Sequence, residues 1–323
     1  SPGAVNQFSI QSIAATLNFS NQMLWYKSTH NFSSSDMQAI FQEPSQSLGN
    51  IVAQGFSKGQ LNLSSQNHHN FLSIKTQDFS VPIYNEYFLQ ILQAQLFISN
   101  LSQVNGLMDG QILGEDASIF VKGKNLLSSY ELDFSTQIPL QTEDIFPQSF
   151  LGKLSGKDIF YLELAVGENL LPRLNIFSDL KNIQFDSNFS FLSKKKSSTL
   201  PTQIVLSNFS KPALFLSNEL MELNLNSLQS LEGHLVIGGE LPPKFSYLKQ
   251  APGLNIYLAL DLLTSKMIDS WPSPQASIPR QPIQNFIVDI QNLEILGNQY
   301  NEVTGIFSIG ESSVKGQIES SKL

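Results

Sequence analysis

Cysteine is absent from all 323 residues of the chain. The absence excludes thiol nucleophiles, iron–sulfur clusters and cysteine-based zinc sites. It also suits an exported protein, which can meet an oxidising compartment without forming disulfides. Charge is scarce as well, because only 14% of the residues are charged and the net charge is −8. A basic surface for nucleic acid is therefore not expected, and an anionic membrane surface would not attract the chain.

Long hydrophobic runs and catalytic motifs are also missing. No stretch approaches the 18 consecutive apolar residues of a transmembrane helix. The chain contains no nucleophile elbow, phosphate-binding loop or zinc-protease helix motif. His68 and His69 are adjacent, so on a strand their side chains would point to opposite faces and could not easily share a metal. The sequence therefore predicts no catalytic residue, no metal site and no cofactor, and hence a protein that is not an enzyme.

Carboxylates occur as two adjacent pairs, Glu115-Asp116 and Glu143-Asp144. Both pairs stand beside predicted turns. We interpret them as solvated loop residues and not as an acid/base dyad.

Alternation of apolar and polar residues is the main positive signal, and it is clearest in residues 221–226, 286–291 and 303–309. In the second segment Phe286, Val288 and Ile290 share one face, while Asp289 lies on the other and Ile287 is an apolar exception there. A period of two predicts strands with one apolar and one polar face, as in antiparallel sheets with one wet side.

Turn signals separate these segments every 10 to 15 residues or so, which predicts a long β-meander. The turn candidates are Asn105-Gly106, Gly152-Lys153, Ser155-Gly156, Gly238-Gly239 and Gly297-Asn298. Residues 86–101 are compatible with a helix or a long strand, because their apolar positions are too dense for periodicity to decide. Residues 265–271 favour one short helix. Residues 190–201 indicate a loop, and its three consecutive lysines favour a solvated turn. The proline-rich residues 271–282 indicate another loop.

A spaced series of motifs runs through the last third of the chain. It consists of GHLVIGG (residues 233–239), Leu241-Pro242, APGLNI (251–256), LDL (260–262) and Trp271. The series resembles the late part of the YhdP-type branch of the AsmA-like family. NIFSDLKNI (175–183) is similar to the family's Ser-Asp-Leu strand, although residues 185–191 replace its usual Leu-Pro-x-Pro element. Residues 286–290, 293–297 and 303–307 resemble the family's terminal strands, so the likeness covers about residues 90 to 323.

The resemblance implies an all-β fold with few short helices, in which a long curved antiparallel sheet forms an elongated groove. It implies an envelope protein of Gram-negative bacteria, anchored in the inner membrane by an N-terminal helix and reaching through the periplasm toward the outer membrane. Such proteins are linked to phospholipid transport and outer-membrane integrity. We expect this chain to be a periplasmic C-terminal portion, with residues 1–323 forming a single elongated fragment and a sub-boundary near residues 85–105.

An apolar sheet face has to be covered, either by closing a barrel, by packing on another sheet, or by holding lipid acyl chains in a trough. The expected partners are phospholipid acyl chains, with outer-membrane or periplasmic proteins as further candidates and no nucleic acid. Candidate residues of a lipid track are the apolar members of the alternating strands: Leu223, Leu225, Phe286, Val288, Ile290 and Phe307. An ordinary hydrophobic core explains each of these residues equally well.

Two other classes of protein share part of this pattern. A secreted or surface β-rich adhesin or structural protein would also be rich in Asn and Ser and free of cysteine, but a strict short repeat is missing. A glycan-binding β-sandwich would need clustered exposed aromatics and a carboxylate pair, and the chain has only two tryptophans.

Overall fold

A computed structural model describes residues 9–18, 23–32, 52–62, 68–84, 87–99, 102–125, 129–142, 152–187, 192–269, 283–309 and 313–322. The all-β prediction is confirmed, because the described residues form one large mixed sheet that is not closed, one small two-stranded sheet and only two short helices. The strands are β1 Ser9–Asn18, β2 Met23–Phe32, β3 Val52–Asn62, β4 His68–Tyr84, β5 Tyr87–Ser99, β6 Gln103–Ile112, β7 Glu115–Lys124, β8 Glu131–Gln141, β9 Gly152–Ser155, β10 Lys157–Gly167, β11 Leu170–Ser178, β12 Gln184–Ser187, β13 Thr202–Ser207, β14 Ala213–Ser217, β15 Met221–Ser227, β16 Glu232–Ile237, β17 Leu254–Thr264, β18 Ile283–Ile295, β19 Asn298–Ile309 and β20 Val314–Lys322. A 3-10 helix covers Pro243–Lys249, and a short α-helix, α1, covers Ser265–Asp269.

The chain divides into two compact units. Unit 1 contains residues 1–138 and 161–172, and unit 2 contains residues 139–160 and 173–323. The sub-boundary that we expect near residues 85–105 stays a prediction, and strand β5 crosses most of that range.

Unit 1 is a meander in which each of the strands β1 to β8 pairs antiparallel with the next. Its period-two pattern is clear in β7, where Ala117, Ile119 and Val121 are buried and their neighbours are exposed. Residues 87–99, which periodicity left open between helix and strand, form β5. Pairing with β6 shifts register between Ile91 and Gln93, so Ile91 and Ala94 are both buried although they lie three residues apart. The interval of three residues between these two buried positions is therefore explained by a β-bulge.

Unit 2 departs from a purely antiparallel sheet in one place. Strand β17 is parallel to both of its neighbours, β16 and β18. Parallel strands are usually covered on both faces and are apolar throughout. The sequence of β17, LNIYLALDLLT, has this character, and Tyr257, Leu258 and Leu260 are buried. The predicted antiparallel order holds for the other pairs from β11 to β20 for which the register is defined.

The two helices belong to the connections that these parallel pairs require. The 3-10 helix joins β16 to β17, and its Phe245 and Leu248 pack on Val236, Tyr257 and Ile287. This contact explains the apolar exception in β18, because Ile287 is fully buried beneath the helix. The short helix predicted within residues 265–271 is confirmed as α1, which follows β17 directly.

The predicted turns divide into those the structure places between strands and those it does not. Ser155-Gly156, Gly238-Gly239 and Gly297-Asn298 lie where strands end or begin. Gly152-Lys153 also stands at a strand end, because Gly152 is the first residue of β9. Asn105-Gly106 is wrong, because it lies within β6. Gly106 serves close packing instead, since a Cβ there would lie 2.5 Å from the Leu96 side chain and 2.6 Å from the Gln95 carbonyl oxygen. The predicted loop at residues 271–282 lies outside the described residues.

Candidate functional site

The six candidate track residues all lie on one face of the sheet of unit 2, which we call the apolar face. The register shows this directly: Leu223 is opposite Leu235, Leu235 is opposite Ile256, Ile256 is opposite Phe286, and Phe286 is opposite Phe307. Residues opposite one another in a sheet point to the same side, and so do residues two apart on one strand. Leu225, Val288 and Ile290 therefore share the face.

The register adds residues that sequence reasoning missed. Across neighbouring strands from β11 to β19, one apolar side chain per strand continues the line. We call these eight residues the apolar row: Ile176, Ile204, Leu216, Leu223, Leu235, Ile256, Phe286 and Phe307. Seven strand spacings of about 4.8 Å make the row about 34 Å long. All eight side chains are half-buried, so none is sealed into a core in the way that Ile290 is.

A compact cluster covers the neighbouring part of the apolar face. Ile237, Leu258, Leu260, Ile290 and Val303 are buried in it together with Leu192. Phe185 of β12 and Met267 of α1 pack against the same cluster, as partly buried side chains. Of the six candidates, Ile290 is thus a core residue with 4% exposure, and Leu225 is buried at 6%. The other four candidates, Leu223, Phe286, Val288 and Phe307, are half-buried.

Two aromatic rings form the end of the apolar row. The rings of Phe286 and Phe307 are stacked, with centroids 6.2 Å apart and an angle of 28° between their planes. Glycines make room for this arrangement, because a Cβ on Gly316 would lie 2.5 Å from Cδ1 of Phe307 and one on Gly305 would lie 2.8 Å from its Cε2. The Phe307 ring therefore lies low over both glycines and presents its surface on the apolar face.

The opposite face of the same strands carries paired polar groups. The phenol of Tyr257 donates to Asp289 at 3.3 Å, and the hydroxyl of Thr304 donates to the other oxygen of that carboxylate at 3.0 Å. Burial, followed by the charge and hydrogen bond of Asp289, raises the pKa of Tyr257 to about 12. Nε2 of His234 lies 3.3 Å from the Glu222 carboxylate, with the histidine buried. Tyr257 also packs against Phe245 and Leu248 of the 3-10 helix, and the polar groups of this face bond within their own pairs, which suits a structural role.

One lysine of the 190–201 loop differs from the solvated turn that the sequence predicts. Lys194 is buried, and its Nζ donates to the carbonyl oxygens of Ile183 at 2.6 Å and Lys195 at 3.2 Å. Burial lowers the pKa of Lys194, and the charge of Asp158 opposes this shift. Its backbone also bridges to Phe185, so Lys194 fastens the loop that brings Leu192 onto the apolar face.

Other chemistry has little support from the geometry. Within the ranges that the structure describes, no group of three or more His, Asp or Glu side chains could hold a metal ion. His68 and His69 are neighbours at the start of β4, and Glu115-Asp116 begins β7 directly after a two-residue turn. Glu143-Asp144 lies outside the described residues. None of the helices in the described part of the chain has the length and apolar character needed to cross a membrane.

Comparisons with known proteins do not add a relative. No protein-family model matches the chain, and neither the curated proteins nor the solved structures give a match. The functional argument for this chain therefore rests on its residues and their geometry.

Proposed function

We propose that the apolar row holds phospholipid acyl chains, and that the chain is a non-enzymatic segment of an AsmA-like lipid-transfer protein of the periplasm. The observation that carries the proposal is the row itself: eight half-buried apolar side chains, one per strand, follow one another across neighbouring strands of unit 2. The family resemblance of residues 90 to 323 supports the same function.

The energetics of lipid movement explain why such a row is useful. Exposing an acyl chain of about fifteen methylenes to water costs about 12 kcal/mol, at about 0.8 kcal/mol for each methylene. A row of apolar side chains that runs perpendicular to the strands offers the acyl chain contact at every strand spacing. Transfer along it requires binding alone, and no nucleophile, base or metal takes part.

Photo-crosslinking tests the proposal at single residues. A photoreactive amino acid is placed at Leu223 and, separately, at Ile256, both in the apolar row. The matched control is Asn224, which is also half-buried on β15 but points to the opposite face, across from His234. The chain is incubated with phosphatidylethanolamine vesicles, irradiated and analysed by mass spectrometry.

Covalent phospholipid at Leu223 and Ile256, without adducts at Asn224, is the expected result. Crosslinks to protein alone at both row positions would contradict a lipid track and would mean that the row is covered by the protein itself. The secreted adhesin or structural reading would then be the better one.

A further inference from the structure

A second line of apolar side chains runs beside the apolar row on strands β11, β13, β14 and β15. Each of its members lies two residues from a member of the apolar row on the same strand, so both lines are on the apolar face. The register shows that each member is opposite the next one on the neighbouring strand. We call these four residues the second row: Leu174, Leu206, Leu214 and Leu225. The first three are half-buried, and Leu225 is buried.

Polar residues limit the apolar face to these two rows on β11, β13 and β14. Two residues beyond the apolar row, at or just past the strand ends, the chain has Ser178, Thr202 and Asn218. Asn218 donates to the hydroxyl of Thr202 at 3.4 Å, and that hydroxyl donates to the carbonyl oxygen of Leu200 at 2.9 Å. At the other end of β13, the turn to β14 begins with Asn208 directly after the strand. Each of these strands thus offers two apolar positions to a ligand on this face.

Strand β16 interrupts the second row. Gly233 is opposite Leu225 and has no side chain to continue the line. A Cβ at Gly233 would collide with the carbonyl oxygen of Asn224, so a larger residue cannot fill the position without a shift of the backbone. The apolar row, in contrast, continues on β16 through Leu235. The stretch with two rows therefore covers three strand spacings of about 4.8 Å, or about 14 Å.

The distance between the two rows suits two acyl chains that lie side by side. Two residues along a strand span about 6.8 Å, at about 3.4 Å for each residue. Burial of apolar surface is favourable in proportion to the area removed from water. A lipid with two acyl chains covers both rows, whereas a lipid with one chain leaves the leucines of one row in contact with water. The two-row stretch therefore favours the lipid with two chains.

We propose that the two rows together bind a lipid with two acyl chains, one chain over each row, and that they select it over lipids with a single chain. This selection rests on the proposed function, because it requires that the apolar row holds acyl chains. It adds the number of chains that this part of the sheet takes, and it assigns the choice to Leu174, Leu206 and Leu214. At β16 the second chain meets Gly233 and loses its support, so the two-chain lipid is held on β11 to β15.

A competition between two lipids in the same vesicles tests the selection. The vesicles contain phosphatidylethanolamine with two acyl chains and lysophosphatidylethanolamine with one, in a fixed ratio, and a photoreactive amino acid replaces Leu223 of the apolar row. Mass spectrometry separates the two adducts, and the ratio of two-chain to single-chain adducts is compared with and without Leu206→Asn or Leu214→Asn. The matched control is Phe215→Asn, which also replaces a half-buried apolar residue of β14 but on the opposite face. Because the readout is a ratio, a partial loss of folded protein does not change it.

We expect each second-row variant to lower the ratio at least fivefold, because the second chain loses apolar support, while Phe215→Asn leaves the ratio unchanged. An unchanged ratio in both second-row variants would overturn the selection but leave the proposed function standing, since lipid still reaches Leu223. An equal fall in Phe215→Asn would also overturn the selection, because the second row would then have no special part. Absence of any lipid adduct at Leu223 would overturn the proposed function and the selection together.

Discussion

The side-chain amide of Asn255 donates to the carbonyl oxygen of Gly233 at 3.2 Å, across the pair of parallel strands β16 and β17. The same amide donates to the Ala251 carbonyl at 2.9 Å, and the Asn255 oxygen accepts from Asn285 at 2.7 Å. Asn255 is fully buried. One side chain thus satisfies backbone groups of the loop that returns the chain to a parallel strand, and it also reaches the next parallel strand, β18.

Replacing Asn255 by leucine keeps a similar volume but removes every one of these bonds. The carbonyls of Gly233 and Ala251 and the amide of Asn285 then lose a buried partner, so we expect a loss of about 3 kcal/mol in the free energy of unfolding. Asn226→Leu, at an exposed position of β15, is the control and is expected to change stability by less than about 0.5 kcal/mol. Urea unfolding monitored by circular dichroism measures both, and equal midpoints for the two variants would contradict a special role for Asn255.

The turn between β18 and β19 is built from a residue poorly suited to it. Leu296 and Gly297 have φ angles of 52° and 81°, the left-handed pair of a two-residue hairpin turn, and Leu296 is 89% exposed. Asparagine adopts this conformation far more readily than leucine. Leu296→Asn should therefore stabilise unit 2 by about 1 kcal/mol, because the turn is relieved and no buried contact is lost.

Thermal unfolding measures the effect of Leu296→Asn. Leu262→Asn is the control, since Leu262 is 42% exposed in β17 and its φ angle is not positive. The control variant should show no gain in Tm. A gain of the same size in both variants would mean that lower surface hydrophobicity, and not the turn, is the cause.

We expect substitutions of the candidate track residues to lower the free energy of unfolding by amounts that follow the burial of each side chain. Ile290 is 4% exposed within the core cluster, so Ile290→Ala should cost about 3 to 4 kcal/mol through lost contacts and a cavity. Leu223 is half-buried, and Leu223→Ala should cost about 1 to 2 kcal/mol, because less apolar surface returns to water. Chemical denaturation of the two variants tests this order. A larger cost at Leu223 than at Ile290 would mean that the apolar row is packed as tightly as the core.

Much of the fold follows from period-two alternation, as residues 221–226 and 286–291 illustrate. Alternation places Leu223 with Leu225, and Phe286 with Val288 and Ile290, because it fixes which residues of one strand point together. Alternation does not state which strands are neighbours, so Ile176, Ile204 and Leu216 could not be joined to Leu223 before the register was known. The sequence signal for the strands that carry Ile204 and Leu216 was a pair of short apolar segments, QIVLS in β13 and ALFLS in β14.

The remaining differences arise where tertiary contacts override a local pattern. Lys194 stands in a run of three lysines that predicts a solvated turn. Its amine is instead buried and donates hydrogen bonds to backbone carbonyl oxygens. Strand β17 carries its apolar residues on both faces because two connections cover it, and that coverage is a property of the assembled sheet. The sequence alone does not distinguish Asn255 from other polar residues, since its partners Gly233 and Asn285 lie in other strands.

Stability at alkaline pH should reveal the environment of Tyr257. Its phenol has an ordinary pKa of 10.0 in the unfolded chain and a pKa of about 12 in the folded protein, because burial and the adjacent Asp289 disfavour the phenolate. A raised pKa of this kind means that the folded state keeps the proton more tightly than the unfolded state. The resulting stabilisation is fully present below pH 10 and is lost as the pH rises toward 12.

The variant Tyr257→Phe isolates this contribution, because it keeps the ring that packs on Phe245 at a centroid distance of 5.8 Å and removes only the hydroxyl. At pH 8 the variant should be less stable than the wild type by about 1 kcal/mol, since the hydrogen bond to Asp289 is gone. The difference between the two proteins should shrink at pH 10 to 12, where the wild type loses its advantage. Lysines also titrate in this range, but they are the same in both proteins and cancel in the difference.

Urea midpoints measured in parallel at pH 8, 10 and 11 give the comparison. A difference that stays constant with pH would show that the Tyr257 phenol titrates normally in the folded protein, and that the contact with Asp289 is too weak to hold its proton.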